Sequence, residues 1–259
     1  MNGTAFSPEG IPLSYEVLGT GAPALVFVHG WSCDRRYWSR QLGYFAERYQ
    51  VVAVDLAGHG QSGGGRASWT MPAFANDVLA VVEQLGLREV VLIGHSMGGD
   101  VIVEAALRLP GRVLGLIWAD TYSSLGDPED ATAIDKFIVP FREDFVTTTR
   151  TFVRRMFLPN SAADLIEWVA TDMSAAPPEV ALGSMGYSLR HKSAIPALLQ
   201  QLTVPVVQIN PDYRPTDLEA LQRHRVKTVL MSGVGHFEMM EDPDTFNRLL
   251  GETIEEFGG

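Results

Sequence analysis

A single cysteine, Cys33, stands in a chain of 259 residues. One thiol can neither close an internal disulfide nor build a thiolate metal site, so neither of these staples is expected in this fold. The length is enough to bury a sizeable core without one. Positive charge is scarce as well: 20 Lys+Arg oppose 31 Asp+Glu, a formal net charge of −11. Such a surface repels phosphate backbones, and with no basic cluster to offset it, nucleic acid is not an expected partner. No apolar run approaches the ~20 residues of a membrane helix. The first residues, Met1-Asn2-Gly3-Thr4, lack the charged and apolar regions of a leader, so the expectation is a cytoplasmic protein, monomeric or homodimeric, with no membrane partner. Repeats and low-complexity tracts are missing. Hydrophobic residues at 46% and charged residues at 20% are ordinary globular usage, which sets disorder, collagen and coiled coil aside.

What the chain has is alternation. Leu13 to Leu18 reads as an early antiparallel strand running into the turn Gly19-Thr20-Gly21. Ala24–Val28, Val51–Val54, Val90–Ile93 and Val113–Ala119 are continuous apolar runs, as expected of strands buried on both faces. Between them, residues 34–48, Met71 to Leu85 and the stretch from Met97 to Leu109 carry helical spacing. Short connections between strands and helices predict an α/β fold, a mostly parallel sheet with helices on both faces. The rhythm breaks after Asp120. Residues 122–195 hold no strand pattern but helical spacing at Phe137–Phe145, Phe152–Phe157 and Leu165–Met173, split by Pro140, Pro159 and Pro177-Pro178. Strands return at Val204–Ile209 and Val226–Met231, and a last helix runs from about Asp244 to Phe257 with Asp242 as N-cap and Pro243 as first helical residue. The organisation is a core of residues 1–121 and 196–259, interrupted by a helical insertion over 122–195.

Gly94-His95-Ser96-Met97-Gly98 fits G-x-S-x-G and falls between a strand and a helix, where that pattern has physical meaning. Two glycines let the chain turn sharply, so the Ser96 hydroxyl projects above the carboxyl edge of the sheet. The helix opening at Met97 aims N–H groups and the positive end of its dipole at the same place. A serine hydroxyl needs a base within reach to act as a nucleophile. Of six histidines, His236 in Gly235-His236-Phe237, just past the last strand, is best placed. His29 is expected to hold its own loop by hydrogen bonds, and His191 and His224 to be solvated.

These segments, with His29-Gly30-Trp31 and Asp55-Leu56-Ala57-Gly58-His59-Gly60-Gln61-Ser62, give a chain that resembles the α/β-hydrolase-fold serine hydrolases over nearly all its length outside the insertion. The resemblance implies an esterase-like enzyme with a helical cap over its site and no cofactor or metal. It implies that the backbone amides of Trp31 and Met97 form an oxyanion hole, and that an acid orients the base. In the family that acid usually follows the penultimate strand, here Ile209-Asn210-Pro211-Asp212-Tyr213-Arg214-Pro215-Thr216-Asp217. Ungapped counting falls on Arg214, which cannot serve; shortening the loop by two residues brings in Asp212. Some members place the acid at the end of the preceding strand, which is Asp120. Asp120 and Asp212 both stand as candidates, with Asp217 a third that reads better as a helix cap.

The insertion is rich in Phe, Met and Trp, and its residues are expected to pack the cap and line an apolar pocket suited to a small, moderately hydrophobic acyl substrate, neutral or weakly charged. Cys33 is expected to be a small packed residue. A serine at position 96 argues against the aspartate-dependent haloalkane dehalogenases and epoxide hydrolases. Carbon–carbon bond hydrolysis, lactone hydrolysis, perhydrolysis, cofactor-free dioxygenation and a receptor role remain alternatives on the same fold.

Overall fold

A computed structural model of the chain describes residues 1–125 and 130–258; residues 126–129 of the insertion and residue 259 lie outside the described residues. Eight strands form one sheet: β1 (Asn2–Phe6), β2 (Pro12–Leu18), β3 (Ala24–Val28), β4 (Gln50–Val54), β5 (Val90–His95), β6 (Val113–Ala119), β7 (Val206–Pro211) and β8 (Val226–Met231). Their spatial order is β1-β2-β4-β3-β5-β6-β7-β8. β1 and β2 run antiparallel, and every pair from β4 to β8 is parallel. β3 and β5 are buried at every position, which is why they read as unbroken apolar runs. β1 gave no such signal. It is a five-residue edge strand in which only Ala5 is buried, so its sequence carries little periodic constraint.

The core helices α1 (Ser39–Phe45), α2 (Met71–Gln84) and α3 (Met97–Ala106) connect the early strands. After β6 come α4 (Ala131–Glu143), α5 (Phe145–Arg154), α6 (Ala163–Ser174) and α7 (Pro178–His191). α8 (Ile195–Leu199) leads into β7, then α9 (Leu218–Arg223) into β8, and α10 (Glu238–Glu241) and α11 (Pro243–Phe257) complete the chain. Asp242 caps α11 by accepting from the Thr245 N–H at 3.1 Å, with Pro243 in the first turn. Two expectations for the insertion need correction. Pro140 does not split a helix but sits inside α4, because it is exposed there and only one further turn follows it. The helix after it starts at Phe145 rather than Phe152, capped by the Asp144 side chain on the Thr147 N–H. No helix among the described residues is long and apolar enough to cross a membrane.

The topology places the site. From β3 the chain moves to β4 on one side and then to β5 on the other, so the loops after β3 and β5 part and leave a crevice at their carboxyl ends. Register keeps the strand ends level: Val28 pairs with Gly94, His95 with Ala119, and Ala119 with Ile209. The exit residues Trp31, Ser96 and Asp120 therefore share one edge.

Candidate active site

Ser96 turns at φ 51° and ψ −119°, a conformation a non-glycine residue adopts only when its surroundings hold it there. The hold is visible on both sides. The Ser96 N–H donates to Ala119 O at 2.9 Å. A Cβ on Gly94 would come within 2.4 Å of Gly98 O, and one on Gly98 within 2.5 Å of Val28 O, so the flanking glycines are required by close approach. Met97 opens α3, and its N–H belongs to the first-turn amides that have no intrahelical acceptor. Among the described residues the Trp31 amide likewise has no acceptor. The Trp31 side chain is held by the insertion: its indole N–H donates to Ala181 O at 2.7 Å, and Phe141, Phe145 and Phe152 meet its ring edge-on.

His236 lies on the loop before α10, and its N–H donates to Met156 O at 2.8 Å. Its Nδ1 stands 2.6 Å from Asp120 Oδ2. An ionised carboxylate only accepts, so Nδ1 carries the proton and Nε2 is the bare, basic nitrogen. Beneath it, His95 Nε2 donates to His236 O at 2.8 Å. Burial, then the neighbouring His236, lower the His95 pKa to about 3, so His95 is a neutral strut. His29 likewise holds its loop, accepting from the Leu56 N–H at Nε2 (3.1 Å) and donating from Nδ1 to Gly30 O (2.8 Å).

Asp120 is 1% exposed and, at φ 39°, another residue in a left-handed turn. Besides His236 it accepts from Arg214 Nη2 at 2.9 Å and from the Tyr213 hydroxyl at 3.4 Å. Burial works against its charge, but His236 and then Arg214 outweigh that and hold its pKa below the ordinary value. Asp212 is not brought to the site. It is exposed, its N–H continues the pairing of β7 with β8 by donating to Met231 O, and its carboxylate accepts from the Gly233 N–H at 3.3 Å. Asp217 caps α9 through the Ala220 N–H. The sequence signal for this arrangement was Arg214 itself: a cation at the position where an acid belongs implies an acid across from it.

Other groups went unread. Glu238 is fully buried, and among the described residues neither side-chain oxygen has a hydrogen-bond partner; burial first, and nearby Asp120 second, push its pKa well above the usual carboxylate range. His191 is not solvated: its side chain is 8% exposed and Nε2 lies 3.2 Å from Glu104, because α7 packs it against α3. Cys33 is buried, which raises its pKa well above the usual thiol value and leaves it inert.

Ser96, His236 and Asp120 open on one cavity of about 510 Å³, walled by core residues such as Trp31 and Met97 and by inserted ones such as Phe137, Phe152, Met156 and Met185. Among the described residues no group of three His, Cys, Asp or Glu could hold a metal ion.

Comparison with known proteins agrees with the fold. Residues 23–199 match the family described as alpha/beta hydrolase fold. A 3-oxoadipate enol-lactonase of Acinetobacter baylyi is 26% identical over 96% of this chain and 95% of its own. The acetyltransferase component of an acetoin-cleaving system of Cupriavidus necator is 38% identical, but over only 42% of this chain and 29% of that protein. A thermophilic esterase of Thermogutta terrifontis, solved with malate bound, superposes with a TM-score of 0.84 at 26% identity, over 99% of both chains. Fold, strained serine turn and family match converge, and the chain belongs to the alpha/beta-hydrolase-fold family.

Proposed function

We propose that this protein is a serine hydrolase that cleaves a carboxylic ester, lactones included, through an acyl-enzyme on Ser96. The observation that carries the reading is the His236 Nδ1–Asp120 pair at 2.6 Å in the cavity that also exposes the strained Ser96 turn. It fixes the tautomer in which Nε2 is a base. As Ser96 Oγ attacks the carbonyl carbon, His236 Nε2 takes its proton, and Asp120 stabilises the imidazolium that forms. The carbonyl electron pair moves onto oxygen, where the amides of Trp31 and Met97 receive it; one such donor typically lowers the barrier by ~3 kcal/mol. The tetrahedral intermediate collapses, the C–O bond to the alcohol breaks, and His236 returns its proton to the leaving alkoxide. Water then repeats the sequence against the acyl-enzyme, releasing the acid and restoring Ser96.

Every step uses groups of the chain, so we propose that turnover needs no cofactor and survives chelators. The apolar inserted residues around the cavity support a moderately hydrophobic acyl group as substrate. The enol-lactonase that aligns with nearly the whole chain supports lactones within the same chemistry, since a lactone is an internal ester. A lone buried thiol supports a cytoplasmic setting.

The test is pre-steady-state hydrolysis of p-nitrophenyl esters of graded chain length by wild type and Ser96→Ala, with intact mass read alongside. A burst, steady turnover and an acyl adduct, all lost in Ser96→Ala, are expected. A folded wild type with neither burst nor adduct refutes the proposal and favours non-hydrolytic chemistry on this fold.

A further inference from the structure

We infer that the Trp31 indole is a positioning group for the oxyanion hole: by donating to the inserted helix α7 it fixes the direction of its own backbone amide. The inference rests on the hydrolase reading above and concerns the same site. It makes the insertion part of the catalytic geometry as well as a wall of the cavity. The amide belongs to a short turn. The Cys33 N–H closes that turn on Gly30 O at 3.2 Å, which makes Trp31 and Ser32 its two corner residues. Ser32 stands at φ 55°, a left-handed conformation that glycine adopts freely and serine holds only under constraint. Its hydroxyl is buried and, among the described residues, has no hydrogen-bond partner, so no local side-chain bond offsets the strain. On its inner side the turn is pressed against the nucleophile. A Cβ on Gly30 would lie 2.8 Å from His95 Nδ1 and 3.3 Å from Ser96 Cβ. A close approach at one glycine sets how near the turn lies to Ser96, not which way the Trp31 N–H points.

Direction comes from the other side. The Trp31 indole N–H reaches Ala181 O at 2.7 Å, across 150 positions of sequence, while Phe141 of α4 and Phe145 and Phe152 of α5 meet the ring edge-on. Edge-on ring contacts tolerate sliding, whereas a short hydrogen bond is directional, so the N–H does more than the ring to orient the turn. Ala181 lies inside α7, where the helix already supplies its carbonyl with a donor, so α7 has no need of the indole. Nor does α7 depend on it for its place. The Ser188 hydroxyl of α7 donates to Asp100 at 2.9 Å, and a Cβ on Gly183 would come within 2.7 Å of the Trp69 ring, so the helix is anchored to the core twice over. α7 is the fixed point, and the turn that carries the amide is the part held.

The test is Trp31→Phe, which keeps a ring and loses the N–H, together with benzothienylalanine at position 31, which keeps the bicyclic shape with sulfur in place of the N–H. Steady-state hydrolysis of p-nitrophenyl acetate is read beside inhibition by trifluoromethyl propyl ketone and methyl propyl ketone. Ser96 Oγ adds to the carbonyl carbon of the fluorinated ketone, its proton passing to His236 and the negative charge to the former carbonyl oxygen, which then needs the oxyanion hole. The methyl ketone stays a ketone. Both variants should lose about tenfold or more in kcat, with KM changed by less than about threefold. They should bind the fluorinated ketone more weakly by a similar factor and the methyl ketone as wild type does. Arg190→Gln breaks the ion pair of α7 with Asp135 of α4 outside the cavity, and should leave kcat and both inhibition constants unchanged. Wild-type kinetics in the benzothienyl variant, an equal weakening of both ketones, or the same loss in Arg190→Gln overturns the inference. The two readings fail separately. A wild type that forms the ketone adduct but turns over no ester removes the hydrolase reading, and the ketone pair still decides the inference. Undiminished ester turnover by both position-31 variants keeps the hydrolase reading and removes the inference, and a wild type with neither adduct nor turnover overturns both.

Discussion

Replacing Asp120 by asparagine changes one atom in a side chain that is 1% exposed, and the surroundings dictate the consequence. Oδ2 faces His236 Nδ1 at 2.6 Å and Oδ1 faces Arg214 Nη2 at 2.9 Å, so both oxygens accept from donors. An asparagine must turn its NH2 toward one of them. Arg214 cannot lose its protons, so the amide oxygen stays with it and the NH2 faces His236. Nδ1 then becomes the acceptor, the proton moves to Nε2, and the imidazole can no longer take a proton from Ser96. The loss for such a tautomer reversal in a serine–histidine–aspartate site is about 10⁴-fold in kcat, on the order of 5 kcal/mol of barrier. Asp212→Asn removes only a 3.3 Å contact to the Gly233 amide at an exposed site, worth a few tenths of a kcal/mol and about twofold at most. The assay is steady-state hydrolysis of p-nitrophenyl acetate by both variants, normalised to folded protein by circular dichroism melting. If Asp212→Asn lost more activity than Asp120→Asn, or Asp120→Asn kept more than about one tenth of kcat, the assignment of the acid would be wrong.

Two further perturbations read the framework rather than the chemistry. Gly98→Ala would set a Cβ 2.5 Å from Val28 O and 2.7 Å from His29 O, both backbone atoms that cannot step aside, so α3 must shift away from β3. A loss of about 1–3 kcal/mol in denaturant unfolding is expected, with kcat reduced beyond the loss of folded protein because the Ser96 turn moves with the helix; unchanged stability and rate would show that the turn is not set by this packing. Glu238→Gln should stabilise the protein at neutral pH. The folded-state pKa of Glu238 lies well above its unfolded value, so as pH rises past that unfolded value the unfolded chain releases a proton that the folded chain keeps, and folding loses free energy with each further pH step. Glutamine carries no such penalty. Its melting temperature should match wild type near pH 4 and exceed it increasingly toward neutrality, and a gap that is constant across the range would refute the buried-acid account.

Much of this molecule was legible where a signal is local. β3 and β8 are recovered end to end from their apolar runs, and the Ser96 turn is carried by five adjacent residues whose glycines are explained by contacts of 2.4 and 2.5 Å. His236 followed from its place after the last strand. The edge strand β1 escaped because only one of its side chains is buried, and Pro140 misled because a proline near an exposed helix end disrupts less than its reputation in a helix interior suggests. His191 read as solvated because nothing in its neighbourhood along the chain announces Glu104, which α3 brings to it.

The acid illustrates the deeper limit. Asp120 and Asp212 are equally good carboxylates in sequence, and what separates them is how far β7 runs before its loop turns. The structure extends β7 to Pro211 and continues the pairing through Asp212 to Met231, which turns that carboxylate toward the exit of β8. The loop then reaches the edge of the sheet with Tyr213 and Arg214 instead, and both land on Asp120. A carboxylate buried with only a neutral imidazole would resist ionisation. Arg214 therefore does for Asp120 what solvent would do for an exposed acid, keeping it charged at the back of His236. An arginine where an acid was expected and an aspartate at the neighbouring strand end form one complementary pair, legible once the two positions are considered together.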